Sequence, residues 1–201
     1  FEQPVLAVDL QSYSAVLAKA VISRTRPLNL EWIDREWLQR TLRSARGCPQ
    51  WRAAARFDQP QSKTAVRDAR RLCAREAGGT IWSSYGGHYF SPRQALMIDR
   101  GLLHLPDREP SRSACRAALI AAATHCTAAP GHTAQPFQPP DSALPYIRES
   151  WGRDPIAYAR SWLKSTSKRY AKMKGAAKVA DANEIAEGLR LTGYFLMDRV
   201  L

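Results

Sequence analysis

Residues 111–126 read SRSACRAALIAAATHC, and their reading decides the fold. The stretch is rich in Ala, the best helix former, and holds neither Gly nor Pro. It is apolar almost all round, which predicts a central, buried helix rather than a surface helix with one apolar stripe. Its longest apolar run, Ala117–Ala123, falls far short of the roughly 20 residues that a membrane-crossing helix needs.

Helical signals extend on both sides of this stretch. Upstream, Asn29 is placed to cap a helix that stops at Gly47, with Glu31 and Asp34 at its positive end. Leu30, Ile33, Trp37, Leu38, Leu42 and Ala45 make its inner stripe, and Arg35, Arg40, Arg43 and Arg46 face outward. A helix over residues 62–77 presents Val66, Ala69, Leu72 and Cys73 on one face and ends at Gly78-Gly79. Pro4–Leu10 reads as a short strand, followed by a helix over Ser12–Ser23. Downstream, Asp154-Pro155 is an N-cap followed by Pro at the first helical position. Asp181 with Glu184 fits a capping box for a last helix that would bury Ile185, Leu189, Leu196 and Val200.

The helical period breaks once. Thr80–Tyr85 and His88–Ser91 flank Gly86-Gly87, and aromatics around a Gly pair predict a β-hairpin through a tight primed turn. Residues 127–146 hold five of the 13 prolines and no Lys or Arg, the composition of an extended connector. The expected fold is mainly α: a helical domain with one small hairpin at about 80–91 and a C-terminal helical pair after the Pro-rich connector. The expected organisation is a helical body over 1–127, the connector over 128–146, and a basic helix plus an amphipathic helix over 147–201.

The 201 residues carry 30 Lys and Arg against 18 Asp and Glu, a net charge of +12. Residues 1–50 hold 7 basic and 5 acidic side chains, 51–127 hold 12 and 6, and 128–201 hold 11 and 7, so no single tail explains the sum. Such an excess points to polyanionic partners: nucleic acid, anionic lipid or an acidic envelope polymer. Arg160, Lys164, Lys168, Arg169, Lys172, Lys174 and Lys178 lie in a run with no acidic residue between Asp154 and Asp181. Arg160, Lys164, Lys168 and Lys172 recur every four residues, which on a continuous helix stacks them along one face. Like charges at that spacing repel by a few tenths of a kcal/mol per pair, a cost that a bound polyanion removes. Arg67, Arg70, Arg71 and Arg75 form a second basic patch.

Motifs for chemistry are sparse. A structural zinc site needs four Cys or His in close pairs, and here only His125-Cys126 with His132 come near one another, so no metal is expected. Neither Gly-rich nucleotide cradle is present, and no cofactor is implied. His88, beside the Gly pair and between Tyr85 and Tyr89, is the best general-base candidate, against the plainer reading of a residue at a strand end. Glu149, near Trp151 and Asp154, is a candidate glycosidase acid, against the plainer reading of a surface residue. Whether the chain is an enzyme stays open at this stage. Cys48, Cys73, Cys115 and Cys126 are either buried thiols or two disulfides. On one helix Cys115 and Cys126 stand about 16 Å apart, so oxidised pairing has to run to Cys48 and Cys73.

These observations favour a nucleic-acid-associated helical protein, a nonenzymatic subunit of a ribonucleoprotein or DNA-processing assembly, with RNA or DNA and neighbouring proteins as partners. The alternative is an exported, disulfide-containing cationic protein, an enzyme or toxin acting on anionic polymer or lipid at the cell envelope. A start at Phe1 rather than Met leads us to expect a segment upstream. An intracellular or organellar location is favoured over an exported one.

Overall fold

The computed structural model describes residues 3–131, 135–138 and 140–188. Strand β1 (Leu6–Asp9) leads into helix α1 (Ser12–Ile22). A continuous helical rod follows as α2 (Leu30–Ile33), a π-turn (Asp34–Leu38) and α3 (Gln39–Arg46). Then come α4 (Trp51–Ala54), α5 (Lys63–Arg75), α6 (Thr80–Tyr85), α7 (Pro92–Leu103) and α8 (Ser111–Cys126). The remaining described elements are α9 (Leu144–Trp151), α10 (Pro155–Thr166), β2 (Ala176–Val179) and α11 (Ala182–Gly188). The protein is therefore mainly helical with one small sheet.

Helix α8 is central, as its composition predicts. It packs against α10, α1, α7 and α9, and Ala114, Ala117, Ala118 and Ala122 are fully buried at these contacts. Small side chains let neighbouring backbones approach closely, and Ile156, Ala159 and Leu163 of α10 join the same core. Trp37, from the α2–α3 rod, is 1% exposed and donates its indole N–H to the Gly101 carbonyl at 2.9 Å. A second, smaller core of Phe57, Val66, Ala69, Ala128, Ile147 and Trp151 lies at the two ends of the Pro-rich stretch. There the Ala128 amide donates to the Tyr89 carbonyl, and Phe137 stacks on Tyr146. Leu189, Leu196 and Val200, expected in the last helix, lie outside the described residues.

The hairpin over residues 80–91 does not form. Thr80–Tyr85 is helical because a distant carboxylate caps it: Asp99 of α7 accepts from the Ile81 and Trp82 amides, both at 2.9 Å. Asp99 thus satisfies two of the four orphan donors at the start of α6. Trp82 is fully buried, and its indole donates to the Glu76 carbonyl. The Gly pair serves packing instead of a hairpin turn. Gly87 has φ +73, and a Cβ there would sit 2.6 Å from the Arg70 backbone nitrogen. Gly86 bridges to Phe90, and Ser91 with Gln94 then forms a capping box that opens α7 at Pro92.

The sheet lies elsewhere. β1, within the expected Pro4–Leu10 segment, pairs in parallel with β2, in register from Leu6↔Ala176 to Asp9↔Val179. The basic stretch is therefore not one long helix. α10 ends at Thr166, so Lys168 and Lys172 do not continue the face that Arg160 and Lys164 begin. All four cysteines are free and buried, and the cross-wise disulfides do not form.

Candidate nucleic-acid interface

The basic segment is built on α10 and on what stops it. Asp154 caps the helix by accepting from the Ile156 amide at 2.8 Å, and Pro155 fits the first turn, where no donor is required. At the other end the Ser165 and Thr166 hydroxyls donate back to the Trp162 carbonyl, a local bonding that competes with helix continuation.

Arg24 closes the end. Its side chain is buried, and all five guanidinium N–H groups find carbonyls. Nε donates to Ala20, Nη1 to Arg26 and Ser167, and Nη2 to Thr166 and Arg169, at 2.6–2.9 Å. Burial opposes the Arg24 charge. The negative ends of the α1 and α10 dipoles offset that cost, because the accepting carbonyls belong to both helix C-termini. Three backbone bonds extend the clamp: Ala171 to the Arg24 carbonyl, Gly175 to Ile22, and Ala176 to Val5. The turn from Ser167 to Gly175 is thereby fixed to the end of α1 and led into β2.

Lys164, Lys168, Arg169, Lys172 and Lys174 all project from this helix end and turn, and all five are exposed. Arg160 is set apart. Its guanidinium pairs with Asp34 at 2.8 Å across to the π-turn of the α2–α3 rod. A hydrogen bond from Gln39 holds the Asp34 carboxyl below its ordinary range; burial opposes this, and Arg160 adds to it.

The α5 arginines divide in the same way. Ser62 caps the helix by accepting from Ala65, and Val66, Ala69 and Cys73 face the core. Arg67 and Arg75 are exposed, and Arg71 pairs with Asp68 at 3.0 Å. Arg70 is structural: it donates to the Gly87 and Phe137 carbonyls and stitches the 86–90 loop to the connector. Helix α5 packs on α6 and α7, and α10 packs on α8 and α7.

The catalytic candidates are not brought together by any described contact. His88 is half-buried in the loop beside α5, and burial with the nearby Arg70 cation holds its imidazole below the ordinary value, in the neutral form. Glu149 is exposed and engaged with Arg153 one turn on. Among the described residues no three His, Cys, Asp or Glu side chains cluster as metal ligands, and no helix is long and apolar enough to cross a membrane. Sequence reading missed Arg24 because its SRTRP surroundings carry no local signal; three of its five acceptors lie more than 140 residues away. No protein-family model matches this chain, and no curated protein or solved structure shows significant similarity to it.

Proposed function

We propose that this chain is a nucleic-acid-associated helical protein, a nonenzymatic subunit of a ribonucleoprotein or DNA-processing assembly, that binds the phosphate backbone. The observation that carries this reading is the exposed cationic segment Lys164, Lys168, Arg169, Lys172 and Lys174, with no carboxylate in the stretch and a fixed backbone beneath it. Lysines and arginines on an ordered turn lose less freedom on binding than the same charges on a loose tail, and each phosphate they neutralise releases counterions. Contacts of this kind position a polyanion without reading its bases. Arg67 and Arg75 serve as a secondary patch, with Arg71 beside them held to Asp68. Arg160 and Arg70 contribute through the field alone, since their guanidinium groups are engaged.

The test is equilibrium binding of the whole chain to single- and double-stranded DNA and RNA of mixed sequence at about 50 mM salt, the low-salt regime in which phosphate contacts are strongest. Submicromolar binding with little sequence preference is expected. Absence of binding to all four overturns the proposal.

A further inference from the structure

Two large apolar side chains stand in the cationic turn itself: Tyr170 is 40% exposed and Met173 50%. Lys168 and Arg169 precede the ring and Lys172 and Lys174 follow it, all four exposed. Leaving a ring and a thioether in water forgoes the gain of burying them. Contacts to phosphates make no use of either.

The ring is seated on a fixed base. The residues on both sides of it are tied through their backbone: the Arg169 amide donates to the Thr166 carbonyl at 2.8 Å, and the Ala171 amide to the Arg24 carbonyl at 3.1 Å. The Arg24 guanidinium lies over the Tyr170 ring, 5.9 Å from its centroid, within reach of a cation–π contact. Arg24 is buried and held by its five carbonyl acceptors, so it backs the ring from the protein side. A tyrosine has only two side-chain torsions to freeze, and a ring seated in this way loses little further freedom when a flat partner stacks on it.

We propose that Tyr170 is a stacking platform for an unpaired base, and that the substrate of the cationic turn is single-stranded nucleic acid. The inference rests on the phosphate-binding reading above and adds the substrate class to it. A single strand alternates phosphates with bases free to splay out, which cations interleaved with an aromatic ring complement. A duplex keeps its bases stacked on one another and offers this turn its phosphates alone. Stacking uses the flat face that every base has, so it brings no strong base preference. A membrane surface also accepts Tyr and Met beside cations, but it takes them on the broad apolar face of an amphipathic helix. Here α10 has ended at Thr166, and a turn carries the two side chains.

The experiment is fluorescence anisotropy of the whole chain with a labelled pyrimidine single strand and with a duplex of the same length, at one salt concentration. The parent is expected to bind the single strand at least as tightly as the duplex, although the duplex carries the denser charge. Tyr170→Ala should weaken single-strand binding by about five- to 150-fold, the effect of losing one base–aromatic stack. It should leave duplex binding unchanged, which shows the turn intact. Tyr170→Leu, with apolar bulk but no flat face, should lose as much, and Tyr170→Phe should bind as the parent does. The inference alone is overturned if the duplex is bound more tightly, if Tyr170→Ala binds the single strand as the parent does, or if that variant loses both equally, the mark of a structural role. Binding to neither strand form overturns the phosphate reading as well. Vesicles of phosphatidylcholine and phosphatidylserine complete the set: a Tyr170→Ala variant that loses them but keeps the single strand overturns the inference and assigns the ring to a membrane surface.

Discussion

Replacing Arg24 by Met removes a buried cation whose five donors all serve backbone carbonyls. The bonds to Ala20 and Arg26 are local, and water replaces them readily at the end of α1. The three to Thr166, Ser167 and Arg169 join segments about 140 residues apart and carry the loss. At about 1.5–3 kcal/mol for a hydrogen bond to a charged group they sum to roughly 4–9 kcal/mol. Relief from burying a charge offsets part of this, leaving about 3–5 kcal/mol, the range seen when a buried charged network loses one partner. With a urea m-value of about 2 kcal/mol/M, the unfolding midpoint should fall by roughly 1.5–2.5 M. Arg24→Lys keeps the charge but offers at most three donors in no fixed fork, so it should recover only part of the loss. Hydrogen exchange of the Ala171 and Gly175 amides, which bond to the α1 end, should accelerate in Arg24→Met before that of α8. A midpoint shift under about 0.5 M, equivalent to about 1 kcal/mol, would refute the clamp.

Gly87→Ala forces a side chain onto a left-handed backbone against Arg70, and should cost more than about 2 kcal/mol in urea unfolding; a cost below about 0.5 kcal/mol would mean the 86–90 loop is not held as described. Burial pushes the Cys73 and Cys126 thiols up to about 12 and raises Cys115 as well. A thiol reagent should therefore leave these three untouched in the native protein and find four groups after denaturation. His88 has its folded-state pKa held below its unfolded value by burial and Arg70, so the unfolded chain takes up the proton first. Its contribution is fully present above about pH 6.5 and is lost as pH falls from there through the folded value. Measured against His88→Gln, the parent should lose relative stability between about pH 8 and 5; an unchanging difference would contradict the neutral, half-buried imidazole.

Where local chemistry alone decides an element, the sequence announces it. Asn29 and Asp154 each cap the helix they precede, and the Ala-rich run at 111–126 is central. The failures have one physical cause, partners distant in sequence. Thr80, Ile81, Trp82 and Tyr85 carry strand propensity, but the Asp99 carboxylate and the burial of Trp82 override it. Nothing in AAKV marks β2 as a strand; its identity comes from β1, some 170 residues earlier. The four-residue spacing of Arg160, Lys164, Lys168 and Lys172 looks helical throughout, yet the helix stops at Thr166, where Arg24 takes its last carbonyls. The cationic character of the segment was legible, its geometry was not.

The central claim is that the exposed cations at the end of α10 bind phosphates, and its most direct test is the salt dependence of duplex binding. Five neutralised phosphates predict a slope of about −4.5 in log K against log salt, an affinity loss of about 500-fold between 50 and 200 mM. Changing Lys164, Lys168 and Lys172 together to Glu should abolish binding at the higher salt and flatten the slope by about three. The same affinity and slope in that triple variant would contradict the account.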